Sequence, residues 1–212
     1  MKKIVLFLML ATAVLAQENK KFVAAMERNI ALVNSAKMGA DYANASNAFE
    51  RIANAEPKEW LPLYYQSYAL ILSANDMTDN MKKDEVYEKA MSVAEKADKL
   101  SPENSEIVTL KSWITSMKIS IDPMVRGQKL GMEAAMLNSL AISLNPENPR
   151  PYFLQGVGTM YTPEQFGGGK EKALPMLEKA VEKFNNFKPI NSLMPTWGKE
   201  RALQMLEECK KM

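Results

Sequence analysis

The chain has 212 residues, with 27 Lys or Arg, 25 Asp or Glu, one Cys and no His. Lack of histidine excludes Ser-His and Cys-His catalysis and imidazole-ligated zinc, and a single cysteine excludes an internal disulfide framework or a Cys₄ metal cluster. With 47% apolar and 25% charged residues, the composition is that of a globular chain, long enough for one domain or a short repeat array.

Residues 1–16 read MKKIVLFLMLATAVLA. Lys2 and Lys3 form a basic n-region, Ile4 to Leu10 an apolar h-region, and Val14-Leu15-Ala16 a cleavage signal, the pattern of a secretory signal peptide. The apolar run is too short for a stable membrane anchor, and no cysteine follows for a lipoprotein anchor. The expected mature chain, 17–212, is a single domain. It carries 25 basic and 25 acidic residues, which gives no electrostatic footprint for nucleic acid or an anionic membrane. No later segment approaches 18 apolar residues, so no membrane span remains after cleavage. The expected location is the periplasm or exterior of a Gram-negative cell.

The mature chain is punctuated by Ala-Glu-Pro ending at Pro57, Leu-Ser-Pro at Pro102, Leu-Asn-Pro at Pro146 and a looser Phe-Lys-Pro at Pro189. A period of about 44 residues points to stacked helix pairs. Before each proline runs an amphipathic helix with a stripe of small or apolar residues: Ala45, Phe49 and Ile52; Ala90, Ala94 and Ala97; Ala134 and Ala141; Ala173, Leu177 and Ala180. Spacings of three, four and seven put each set on one helix face, and proline then stops the helix. Ten residues after the first three prolines stand Ser67, Ser112 and Gly156. A glycine inside a helix costs about 1 kcal/mol relative to alanine, so Gly156 calls for the close approach of a paired helix. The β-branched stretch Ser105 to Ile121 is also read as helix, because Ile107, Leu110, Ile114, Met117 and Ile121 form a helical stripe. The 14 methionines of the mature chain read as core filler rather than as an adaptable binding surface.

The small residue in the first helix, the Ala-x-x-x-Phe/Leu-x-x-Ala/Ile pattern in the second and the closing proline resemble the tetratricopeptide repeat over most of residues 20–212. The period is about ten residues longer than the standard repeat, with the excess placed between paired helices at Ser73–Lys83, Asp122–Gly131 and Thr162–Gly169. The segment Pro163 to Ala173 is similar to a loop of secreted bacterial repeat proteins, including periplasmic ones associated with TRAP-type transporters. The expected fold is an all-α, tetratricopeptide-like solenoid of about four helical hairpins with a capping helix from Thr196 to Met212.

The segment Gly167-Gly168-Gly169-Lys170 lacks the spacing of a phosphate loop, since Glu164 and Glu171 stand where glycine and a magnesium-binding hydroxyl are needed. It is read as a turn. Three residues before, one after and five after Ser67, Ser112 and Gly156 lie Tyr64, Tyr68 and Leu72; Thr109, Trp113 and Met117; Phe153, Val157 and Tyr161. Each trio forms one stripe, and the resemblance implies that these stripes line a concave groove, where aromatic residues supply contact area. A core position beneath a terminal helix fits the same stripes equally well. Glu106, Arg150 and Gln155 lie near this face and could orient a ligand; a solvated helix surface suits them as well. The candidate contact residues are therefore Tyr64, Tyr68, Trp113, Phe153, Tyr161, Glu106, Arg150 and Gln155. No catalytic couple, metal site or cofactor is expected, and Cys209 has no histidine to activate it. The function expected is non-catalytic: an exported adaptor or scaffold that binds an unidentified protein or peptide in the groove. The alternative is a periplasmic solute-binding accessory of a TRAP-type transporter, taking a hydrophobic small solute.

Overall fold

The structure, a computed structural model, describes residues 20–211; the expected signal peptide lies outside them. Among the described residues are nine α-helices: α1 (20–35), α2 (Gly39–Ala55), α3 (Trp60–Ser73), α4 (Asn80–Leu100), α5 (Ser105–Ile119), α6 (Pro123–Leu144), α7 (Pro149–Tyr161), α8 (Lys170–Asn186) and α9 (Lys199–Lys210). None of the described helices is long and apolar enough to cross a membrane. The helices α3/α4, α5/α6 and α7/α8 pack as successive hairpins, α5 adjoins α3 on one side and α7 on the other, and α9 packs on α8. With α1 and α2 as the first pair, this is the all-α, tetratricopeptide-like array of four hairpins and a cap.

The small residues mark where paired helices approach. Ser67 Oγ donates to the Ala90 carbonyl of α4 at 2.8 Å, and Ser112 Oγ to the Ala134 carbonyl of α6 at 2.9 Å. At the third equivalent site a methyl on Gly156 would stand 2.8 Å from Leu177 of α8. The first two pairs are stitched by hydroxyls that replace the solvent a buried carbonyl loses. The third is closer, and only glycine fits.

The loops carry a second periodic signal. Asn104 and Asn148, 44 residues apart, are the N-caps of α5 and α7, and their side chains accept from Glu106 N and Arg150 N at 3.0 and 3.1 Å. Such caps contribute about 1 kcal/mol each. Asn148 is buried, and its amide donates to Ser105 Oγ, which donates to the Ala141 carbonyl. The two caps are thereby joined across the repeat boundary.

The extra length of the repeat is divided between helices and the connections between them. Asp122 caps α6 and residues 123–131 are its first turns, while Asn80–Lys83 opens α4. These helices reach 22 and 21 residues. Residues 74–79 stay outside an α-helix, as does Thr162–Gly169, with a one-turn 3₁₀ helix Glu164–Phe166 followed by the glycines. A methyl on Gly168 would fall 2.0 Å from the Thr162 carbonyl, so this glycine is required by backbone contact. The C-terminal helix begins at Lys199 rather than Thr196, because Gly198 adopts φ 110° and separates it from the preceding segment.

Candidate functional site

Five of the eight expected groove residues come together, and residues 187–198, between α8 and α9, lie across them. We call this segment the strap. Tyr65 Oη donates to the Leu193 carbonyl at 2.9 Å, Trp197 Nε1 donates to Tyr64 Oη at 2.8 Å, and Arg150 Nη2 donates to the Pro195 carbonyl. The Trp197 ring stacks on Tyr68 with centroids 5.6 Å apart and lies 4.9 Å from Trp113. Leu193 is buried in the core cluster shared by α1–α5, and Ser192 Oγ reaches Glu27 of α1. Chain order explains the arrangement: Phe187-Lys-Pro-Ile-Asn-Ser-Leu-Met-Pro-Thr-Trp197 has two prolines and no helical period, so it forms no helix and turns at Asn191–Met194, laying Phe187, Leu193 and Trp197 on the groove while Ile190 stays exposed.

At the centre is a buried ion pair. Arg150 Nη1 stands 2.8 Å from Glu106 Oε1. The guanidinium carbon lies 4.9 Å above the Phe187 ring and 5.4 Å above Trp197. Burial raises the Glu106 carboxyl above its usual range, with Arg150 pulling the other way. Burial, reinforced by Glu106, raises the Tyr64 hydroxyl well above its normal value. Both tyrosine and guanidinium are held as donors. The cluster orders the strap through hydrogen bonds and presents no free nucleophile or base.

Of the eight candidate residues, Tyr64, Tyr68, Phe153, Glu106 and Arg150 are buried, Trp113 and Gln155 are half-buried, and Tyr161 is 63% exposed. Tyr64, Tyr68, Trp113, Glu106 and Arg150 belong to one connected assembly with the strap. Phe153 packs instead on Phe184 of α8. Tyr161, at the far end of the α7 stripe, has its hydroxyl 3.9 Å from Met205 Sδ of α9. At that end the stripes present half-buried Met117 and Val157 beside exposed Tyr161. Trp197, Phe187 and Leu193 were missed by periodicity because they lie outside any repeat; the signal available was three large apolar residues in an aperiodic, proline-bearing segment.

Two further clefts mark the surface. One, about 510 Å³, lies between the start of α4 and the α5–α6 corner, where Asp84, Glu85, Glu88 and Arg126 meet Met81 and Ile121. Arg126 holds Asp84 through two 2.7 Å bonds, which lowers the Asp84 carboxyl. The other, about 310 Å³, follows the α1–α2 seam, with Phe22, Ala48 and Ile52 below Lys21, Arg28 and Arg51. Among the described residues no group of three Cys, Asp or Glu side chains converges to hold a metal ion. Cys209 is buried, and burial pushes its thiol up.

No protein-family model matches the chain, and no curated protein matches its sequence. Among solved structures, the HusA haemophore from Porphyromonas gingivalis is similar at 36% identity and a TM-score of 0.81, covering 90% of this chain and 93% of that one. The MamA protein aligns at 15% identity and a TM-score of 0.41, over 88% of this chain and 87% of its own. With more than a third of its residues identical over nine-tenths of its length, the chain belongs to the same family as the HusA haemophore.

Proposed function

We propose that this protein is an exported, non-enzymatic haem-binding protein, with haem as cargo. The observation that carries the reading is the 36% identity to a haemophore across nearly the whole of both chains. The uncovered end of the concave face supports it: next to Trp113 at the edge of the strap, Met117, Val157 and Tyr161 continue the stripes of α5 and α7 and retain exposed surface. A flat, apolar macrocycle gains most from burial against such rings and thioethers. The chain has no histidine, so the commonest iron ligand is missing. Tyrosine, methionine and thiolate remain, and the buried, protonated Cys209 is poorly suited. Tyr161 is the exposed donor of this face. Affinity then rests chiefly on burying the macrocycle.

An adaptor taking a peptide along the groove would need the face of α3 and α5 to be open, where the strap now lies. Haem gives a chemical identity to the small apolar solute of the alternative reading; a TRAP-type transporter plays no part in it. The test is titration of purified protein with haemin, followed by Soret absorbance and tryptophan quenching. Saturable binding is expected, weakened about tenfold or more by Trp113→Ala with Tyr161→Ala, the loss of two ring contacts of about 1 kcal/mol each. Helical content should stay unchanged. Absence of saturable binding at micromolar haemin would overturn the function. Full affinity in the double variant would overturn only the placement of the site.

A further inference from the structure

The outer helices of successive hairpins differ sharply. Of the 21 residues of α4, ten are charged, and of the 17 in α8, seven are. In α6 only Arg126, Lys129 and Glu133 are charged among 22 residues. Only Ala134, Asn138 and Ala141 of α6 are buried, whereas Met124, Val125, Met132, Met136 and Leu140 are 94, 76, 59, 72 and 47% exposed. Val125, Met132, Met136 and Leu140 follow at spacings of seven, four and four, so they form one stripe. A helix apolar on its outward face needs a partner. Together these side chains offer several hundred Å², the scale of the roughly 800 Å² that each partner gives to a standard interface.

We infer that α6 is a homodimerisation surface, pairing antiparallel with α6 of a second copy about a two-fold axis at Met132. In that register Leu140 falls level with Met124 of the other copy, and Met136 with Gln128. Met132 meets its own counterpart, and Val125 falls level with Ser139 of the other copy. Lys129 interrupts the stripe between Val125 and Met132, on the side toward Glu133, and a two-fold axis across an antiparallel pair brings like sides together. Lys129 of one copy then lies within about 3 Å, along the axis, of Glu133 of the other, and the pair occurs twice. With one cation and one anion beside the stripe, the face has no net charge to favour an anionic membrane, and balanced charge suits a copy of itself. Burial of Val125, Met132, Met136 and Leu140 in each copy supplies the driving force.

Sedimentation velocity across a concentration series tests the assignment, with circular dichroism as the folding control. The wild type should show a reversible monomer–dimer equilibrium, and Met132→Glu should leave a folded monomer. Lys129→Glu and Glu133→Lys should each weaken the dimer about tenfold, equivalent to about 1.4 kcal/mol, and the double swap should restore it. A monomer at all concentrations overturns the proposal. So does a dimer indifferent to Met132→Glu, or one whose charge reversals are not rescued by the double swap. Vesicle flotation lost in Met132→Glu, with no dimer in the wild type, would assign the stripe to a lipid surface instead.

Discussion

The concave face of α3 and α5 and the outer face of α6 are both rich in large apolar side chains, yet only the first has its cover within the chain. Trp197, Leu193 and Phe187 close the concave face, and the carbonyls that the strap brings in are met by Tyr65 and Arg150. Among the described residues no such segment crosses the α6 stripe, which remains exposed. The same kind of surface is therefore core in one place and an available contact in the other. What separates them is whether a stretch without helical period lies close enough in the chain to be laid across.

The comparison can be broken most forcefully at Arg150. Arg150→Ala leaves Glu106 buried without its counter-charge and the Pro195 carbonyl without its donor, so a loss of about 3–5 kcal/mol is expected in denaturant unfolding. Trp197 fluorescence should shift to the red as the strap loosens. Trp197→Ala should cost about 3 kcal/mol, with hydrogen exchange rising in residues 187–198 while α7–α9 stay protected. If exchange rises uniformly, the strap is inseparable from the array and the contrast with α6 weakens. Gly156→Val tests the helix contact beneath the site. Overpacking against Leu177 predicts a loss of about 1–3 kcal/mol, read as a shift in the denaturant midpoint without a change in slope.

Smaller effects sharpen the other side. Met136→Gln, on the bare stripe, should change monomer stability by no more than about 0.5 kcal/mol, because its side chain is 72% exposed. The tie between α6 and α4 is electrostatic. Arg126 lowers the Asp84 carboxyl, so its contribution is present above the normal carboxylate range and is lost as pH falls through the depressed value. Both groups are partly exposed, and the effect is at most about 1 kcal/mol. Arg126→Gln should flatten the acid limb of the stability profile by that amount, and the two proteins should converge only once pH falls below the depressed Asp84 value.

Much of the array was legible in the sequence. The Ala stripes before the prolines and the small residues ten positions after them placed the hairpins, since helix contacts recur with the helical period and leave a local trace. The repeated Pro-Glu-Asn at 102–104 and 146–148 carried the caps as well, though their joining through Ser105 needed coordinates. Residues 123–131 were placed outside the helix pair, yet Asp122 at the N-cap and Pro123 in the first turn begin α6 there. Methionines taken as core filler divide: Met26 and Met205 are buried, while Met124, Met132 and Met136 face outward.

Periodicity, caps and composition are properties of neighbours along the chain, and they determined the helices, their pairing and the absence of histidine-based chemistry. Which apolar faces end up covered is a property of distant segments. Arg150 meets a carbonyl 45 residues away and Trp197 a hydroxyl 133 residues away. Only the folded chain decided that the aromatic stripe lies beneath the strap and that α6 is left without a partner, because burial is set by what arrives from elsewhere and no local pattern records it.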